Sequence, residues 1–421
     1  MPRKRNTRAA QGSGTIRQRP DGTWEARYVV GHDPGDWKQI RRSVYAKTQQ
    51  EVRQKLAQAI AALDNSEYFE PEKMPLTKWL DIWLDEYTSD KKYLTVKHYR
   101  AQVETHIKPA LGAMRLSQIK PHDIQKFYNN LLSSGQSVPK RDKDGKIEKN
   151  KAGKTIYESA PMAPKSVRNI HGVLTKALST AVDIGYLKVN PADRVTLPRV
   201  EKSQVKPLTD KQVKDYIQEA AKDEHGDLLT VILFTGLRES EALGLTWDCV
   251  DFDNRELTIN KQLQKRPLSD GGFRFASLKN DKARILRVAP FVMELLHKVK
   301  QRQAENKLRA GKMWNEWRDK DKRYSSCKLV FTNAIGEHIH PQRLYDHHKK
   351  IAKAIGAPDA RVHDLRHTFA VLSLQNGDDI KTVQGNLGHA TAAFTLDVYG
   401  HVSEKMKDDS AARMEKYISN L

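Results

Sequence analysis

The chain has 421 residues, 38% of them hydrophobic and 30% charged, with a formal net charge of +21; that is enough for two or three domains with real cores, and basic enough to expect a polyanionic partner, nucleic acid before an anionic membrane surface. Two cysteines, Cys249 and Cys327, exclude a four-cysteine zinc site and argue against a disulfide framework. No apolar run approaches a membrane span, and the charged opening MPRKRNTRAAQGSG has no apolar segment behind it, so a soluble protein of a reducing cytoplasm is expected, with no membrane partner.

Residues 1–13 read as a loose basic arm. The alternating runs TIRQRPDGTWEARYVV and GHDPGDWKQIRRSVY predict three short strands over 14–45, with turns at Asp21-Gly22 and Asp33-Pro34-Gly35-Asp36. TQQEVRQKLAQAIAAL predicts a helix capped near Thr48, with Trp24, Val29 and Tyr45 packing sheet against helix. Residues 1–50 hold eleven Lys or Arg against four Asp or Glu. Strands can enter a DNA major groove, so Arg17, Arg19, Arg27, Arg41 and Arg42 are candidate contacts of a DNA-binding domain over 1–66. Singly, each is better explained as a solubilising arginine around a small core; for the domain as a whole, DNA is the favoured reading.

After a linker near NSEYFEPEKMP, four helical patterns define a domain over 70–197. PLTKWLDIWLDEYTS places Leu76, Trp79, Leu80, Trp83 and Leu84 on one stripe. TVKHYRAQVETHIKPALG is a second helix, ended by Pro109 and Gly112. KPHDIQKFYNNLLSSG buries Ile124, Phe127, Leu131 and Leu132, and APKSVRNIHGVLTKALSTAVDIGYLKVNP supplies the fourth. Lys97, Arg100, Lys165 and Arg168 on the polar sides are candidate DNA contacts. The stretch 140–154, KRDKDGKIEKNKAGK, breaks the pattern; an exposed hairpin and disorder both fit it.

From about 203 to 421 a single, mostly helical domain is expected, opened by a helix capped at Thr209. Its strand candidates are ELTINKQLQKR, FRFASLKNDKARILRVAP and CKLVFTN, while 301–326 is polar and carries no specific signal. The fold class is therefore multidomain α+β: a small three-stranded sheet plus helix, an all-helical domain, and a mostly helical domain with a small antiparallel sheet.

Within the last domain, LFTGLRESEALGLTW sets Arg238 at the head of a helix, with Glu241 placed to pair with it and Leu243, Leu245 and Trp247 as core. VHDLRHTFA sets His363 three residues before Arg366, where both can share one helix face. Arginine presents a planar fork of donors suited to a phosphodiester, and two of them can neutralise both non-bridging oxygens. Histidines can bond the same group or move protons, and Tyr399 could attack phosphorus. Taken alone, each has a plainer role: an ion pair, a packing tyrosine, or surface histidines such as those of HIHPQRLYDHHK.

Together these stretches resemble the tyrosine recombinases, or phage-type integrases, over essentially the whole chain. TGLRESEALGLTW is similar to that family's first arginine box, HDLRHTFA to the second and LGHATAAFTLDVYGHV to the last. The resemblance implies a catalytic set of Arg238, His363, Arg366, His389 and the nucleophile Tyr399. It adds a hairpin lysine, Lys279 in SLKNDKARILRVAP, with Lys282 as runner-up. It also implies an arm-binding and a core-binding DNA domain, closest to those of integrases from Gram-positive conjugative transposons.

By that resemblance, Tyr399 forms a 3′-phosphotyrosyl bond and frees a 5′-hydroxyl, and a hydroxyl from another duplex reverses the step without ATP, metal or other cofactor. Partners implied are double-stranded attachment sites and arm repeats, a DNA-bound tetramer of this chain, and an accessory excision or DNA-bending protein. The tail SEKMKDDSAARMEKYISNL spaces Met406, Met414, Tyr417, Ile418 and Leu421 near one helical face, for docking on a neighbouring copy or on its own domain. Two rivals differ in chemistry: a type IB topoisomerase-like enzyme, and a DNA-binding regulator without catalysis.

Overall fold

The computed structural model describes residues 15–32, 39–64, 74–142, 146–150, 152–201, 206–278, 282–324, 326–388, 411–412, 414–415 and 417–419. The chain divides into two compact units, 1–202 and 203–421.

The first unit opens with three antiparallel strands, β1 (Thr15–Gln18), β2 (Trp24–His32) and β3 (Gln39–Ala46), in the order β1-β2-β3. Asp21 Oδ1 accepts from the backbone N–H and hydroxyl of Thr23, and Gly22 takes φ +83°, which closes the expected turn. The second expected turn, at 33–36, lies outside the described residues. Helix α1 (Gln49–Asp64) starts after Thr48, whose hydroxyl accepts from the N–H of Glu51 at 3.2 Å. Its Val52 and Leu56 pack on Ala26, Tyr28 and Ala46, with Trp24 partly buried beside them. Val29 and Tyr45 do not join that core: they are 39% and 49% exposed. Strand alternation explains the difference, since the even positions 24, 26, 28, 44 and 46 face α1 and the odd ones face away.

Helices α2 (Leu76–Glu86), α3 (Tyr93–Gln102), α4 (Lys108–Leu111) and α5 (Pro121–Ser134) follow. The predicted stripe of α2 is wholly buried. Pro109 does not end its helix: a wide π turn over Val103–Ile107 accommodates the missing N–H, and the chain runs on to Gly112. The interruption at 140–154 forms paired structure: β4 (Gln136–Pro139) and β5 (Tyr157–Ala160) pair, and bridges Arg141–Ile147 and Lys149–Thr155 continue outward. Helix α6 (Pro164–Asp183) closes the bundle. It receives the indole N–H of Trp79 on Ala177 C=O and that of Trp83 on Thr180 Oγ1.

The second unit is built around α8. Helix α7 (Asp210–Ala220) is capped by Thr209, which exchanges bonds with Gln212. Helix α8 (Gly226–Thr235) is apolar all round and buried. Then come α9 (Glu239–Leu243), β6 (Val250–Asp251), β7 (Glu256–Ile259), β8 (Gln262–Lys265), β9 (Phe273–Ala276) and β10 (Arg284–Arg287). One antiparallel sheet runs β10-β7-β6 and a separate hairpin pairs β8 with β9.

Helix α10 (Pro290–Ala310) runs into the stretch expected to carry no signal, covering 301–310: only its first three turns are apolar and buried. The predicted strand CKLVFTN makes only isolated bridges, at Leu329 and Thr332, although Leu329, Val330 and Phe331 are buried. Helices α11 (Pro341–Ala354), α12 (Val362–Gln375) and α13 (Ile380–Leu387) complete the unit. Among the described residues no helix is long and apolar enough to cross a membrane.

Candidate active site

Arg238 stands between α8 and α9, where the chain must turn sharply. Gly236 ends α8 at φ +64°, and a Cβ there would lie 2.5 Å from Phe369 Cδ1 and 2.7 Å from Leu387 Cδ2. Only glycine fits both demands. Glu241, in the first turn of α9 and 2% exposed, binds two guanidiniums. Arg238 donates to it from Nη1 at 2.7 Å and from its backbone N–H at 3.0 Å. Arg284, from β10, donates from Nη2 at 2.6 Å and Nη1 at 3.2 Å. Desolvation pushes the Glu241 carboxyl up, but the bonds and charge of Arg284 and the charge of Arg238 together hold it below the usual carboxylate range.

Arg366, on α12, is 1% exposed. It donates from Nη1 to Gly236 C=O and from Nη2 to Leu387 C=O, both at 2.6 Å. Those carbonyls belong to the C-terminal ends of α8 and α13, where acceptors are left over and partial negative charge collects. Arg238 Nη2 reaches Gly388 C=O at 3.3 Å, and Arg284 Nε reaches Asn386 C=O at 2.9 Å. Three consecutive carbonyls, 386 to 388, thus each accept from a different arginine.

His363 and Arg366 share α12, but at different depths: Arg366 is buried and the surface of His363 is open. The ring of His363 nevertheless lies in a crowded hollow. Desolvation first, then the charge of Arg366, hold its pKa below the usual histidine value, with Asp364 opposing. The neutral form is a proton acceptor. His367 stacks edge-on to it at 4.8 Å and is pushed down to about 4, mainly by burial.

The structure thus brings together Arg238, His363 and Arg366 of the expected set. Lys279, His389 and Tyr399 lie outside the described residues, and Lys282 is exposed. Arg284 was missed by sequence reasoning, though a signal existed: alternation along RILR puts it on the same inward face as Leu286. A cavity of about 520 Å³ bordered by Leu208, Gln212, Ala357, Pro358, Arg361 and Asp364 contains none of the site residues.

Among the candidate DNA contacts, Arg17 and Arg27 flank Glu25 at 2.7 and 2.8 Å on the sheet face away from α1. Their bonds, with that of Ser43, hold the Glu25 carboxyl down to about 2. Glu25 is nearly inaccessible, yet only the thin layer of arginine side chains covers it, so it stays charged. Arg41 is exposed opposite Val29; Arg42, paired with Tyr28, has the opposite parity and is half-buried. Arg19 lies over the Tyr45 ring and 3.5 Å from Asp21. Lys97 and Lys165 are exposed, Arg100 pairs with Asp85 at 2.8 Å, and Arg168 donates to Pro198 C=O.

Residues 199–406 match the phage integrase family, and residues 76–132 match the N-terminal SAM-like domain of phage integrases. A tyrosine recombinase XerC-like protein of Caldanaerobacter subterraneus subsp. tengcongensis is 27% identical over 399 residues, covering 91% of this chain and 93% of that one. The ICEBs1 integrase of Bacillus subtilis is 23% identical, covering 95% and 99%. Among solved structures, a Tn1549 transposon integrase in complex with a circular-intermediate DNA superposes with a TM-score of 0.62 at 18% identity, over 81% of this chain and all of that one. A lambda integrase tetramer bound to a Holliday junction gives 0.52 at 16% identity, over 90% and 96%. These likenesses are of fold.

Proposed function

The chain belongs to the phage integrase family and is a site-specific recombinase of the tyrosine type, and from that premise we propose how its residues divide the reaction. Tyr399 attacks the scissile phosphate, forms a 3′-phosphotyrosyl bond and releases the 5′-oxygen. Arg238 and Arg366 stabilise charge growing on the non-bridging oxygens. His363 accepts the tyrosine proton, His389 bonds the phosphate, and Lys279 protonates the leaving oxygen. Attack by the 5′-hydroxyl of a second duplex reverses each step, which integrates or excises a mobile element. These side chains cover every charge and proton transfer, so the scheme assigns no step to a metal or to ATP.

The observation that carries this reading is the anchoring of Arg238, Arg284 and Arg366 on carbonyls 386–388, immediately before His389 in the chain. It supports a reading in which Arg238 and Arg366, held at the start of the last box, bind the phosphate.

The arm domain (1–66) takes outer repeats, the helical domain (70–197) grips the crossover site, and the domain from 203 onward cuts. The working assembly is a DNA-bound tetramer aided by an excision or DNA-bending protein. Met414, Tyr417 and Ile418 are 60%, 63% and 56% exposed, which supports a tail that docks on a neighbouring copy.

The test is a denaturing gel of protein incubated with a nicked duplex from its own element's end, without added divalent metal. A covalent band is expected with Tyr399 and absent in Tyr399→Phe, which still retains DNA on a native gel. A band that persists in the variant refutes the assigned nucleophile.

A further inference from the structure

The histidine-rich stretch read as surface divides in the structure. His348 is fully buried: its Nε2–H donates to Ala360 C=O and its Nδ1 accepts from the Tyr216 hydroxyl. Its neighbour His347 faces Asp223, Glu224 and His225 in the turn before α8.

His347 Nδ1 lies 2.9 and 2.8 Å from the two oxygens of Asp223. A carboxylate only accepts, so Nδ1 carries a hydrogen, and Nε2 is the nitrogen left to bind an ion. Nε2 stands 3.4 Å from Glu224 Oε1. His225 Nε2 stands 3.2 Å from the same oxygen and makes no hydrogen bond, although His225 is only 6% exposed. Two imidazole nitrogens therefore crowd one carboxylate oxygen, and one ligand atom from each residue lies within 4.8 Å of the others. For zinc bonds of about 2.0–2.1 Å, a tetrahedron sets neighbouring ligand atoms about 3.3 Å apart. The separations of 3.2 and 3.4 Å bracket that value.

We propose that Glu224, His225 and His347 form a binding site for a zinc-class transition-metal ion, with water in the fourth position. Two imidazoles and one carboxylate select such an ion over magnesium or calcium. Asp223 is the outer carboxylate that orients His347. Arg343, half exposed, shares Glu224 Oε1 at 2.8 Å and gives way on loading. The ion would clamp the head of α8 to α11. The ten residues of α8 rise about 1.5 Å each, so the clamp lies far from the arginine pocket and takes no part in the cutting step.

The test reads metal, not recombination, so its outcome is independent of the function proposed above. The full chain, treated with chelator and desalted, is titrated with Co²⁺ by visible absorption and with Zn²⁺ by displacement. One ion per chain is expected, with a thermal midpoint that rises on loading. The double variant His225→Asn, His347→Asn should lose at least 100-fold in affinity, and Asp223→Asn about 10–100-fold. Circular dichroism checks that each variant folds; Glu224→Gln, which preserves volume, replaces any that does not. Equal binding by wild type and the folded variants, or no stoichiometric binding by wild type at micromolar metal, overturns the site.

Discussion

At Glu241 one buried carboxylate pairs with two guanidiniums, and helix-end carbonyls hold them from the other side. Their orientation is thus set without a ligand, which is what the proposed stabilisation of a phosphate transition state by charge requires. Glu241→Gln keeps the shape and removes the charge, leaving Arg238 and Arg284 without their shared counter-ion. Urea unfolding should show a loss of about 3 kcal/mol, and the covalent band should vanish while DNA retention persists. A variant that cuts normally would contradict the role given to this carboxylate. The pairing of Arg238 with Glu241 was legible from their spacing on a short helix. The carbonyl partners were not, because main-chain acceptors carry no residue signature; they follow from where α8 and α13 happen to end.

Turns and helix stripes decide the elements, and Gly236 is the position where one element's geometry governs the site. Gly236→Ala forces a Cβ against Phe369 and Leu387 at a positive φ. Strain and overpacking together should cost about 2–4 kcal/mol. The carbonyl that receives Arg366 belongs to that residue, so covalent-complex formation should fall at least tenfold even at temperatures where thermal melting shows the variant folded. Unchanged cutting in a folded variant would detach the turn from the chemistry.

The helices that pack on one face, such as α2 and α6, were readable from their stripes, and Thr209 and Thr48 from their capping chemistry. Elsewhere the signal was ambiguous. A proline tolerated behind a π turn looks in sequence like a terminator. The second half of α10 is polar on every side, so nothing in its pattern separates helix from loop. CKLVFTN reads as a strand because it is apolar, yet burial alone, without a partner ladder, explains its composition.

For the molecule as a whole, the charge of +21 announced a polyanion, but only the ordered boxes narrowed it to a reaction. Deleting residues 1–66 is expected to spare binding at the crossover site, weaken binding to outer repeats, and flatten the salt dependence of that outer binding. Footprinting at two ionic strengths would check this, and equal loss at both places would refute the arm assignment. The expected boundary near 66–70 rests on the linker-like stretch NSEYFEPEKMP between two helical patterns. The likeness of Val29 and Tyr45 to core residues misled because apolar character was counted without strand parity.

The burial of Arg366 has a further consequence. A cation sealed between two helix ends contributes little to the field felt by a distant duplex; the lysines and arginines on the outside generate that field. With the roles proposed above, finding DNA and cutting it rely on separate sets of charges. Surface residues can drift, changing which duplexes are visited and for how long, while the apparatus that breaks the strand stays the same.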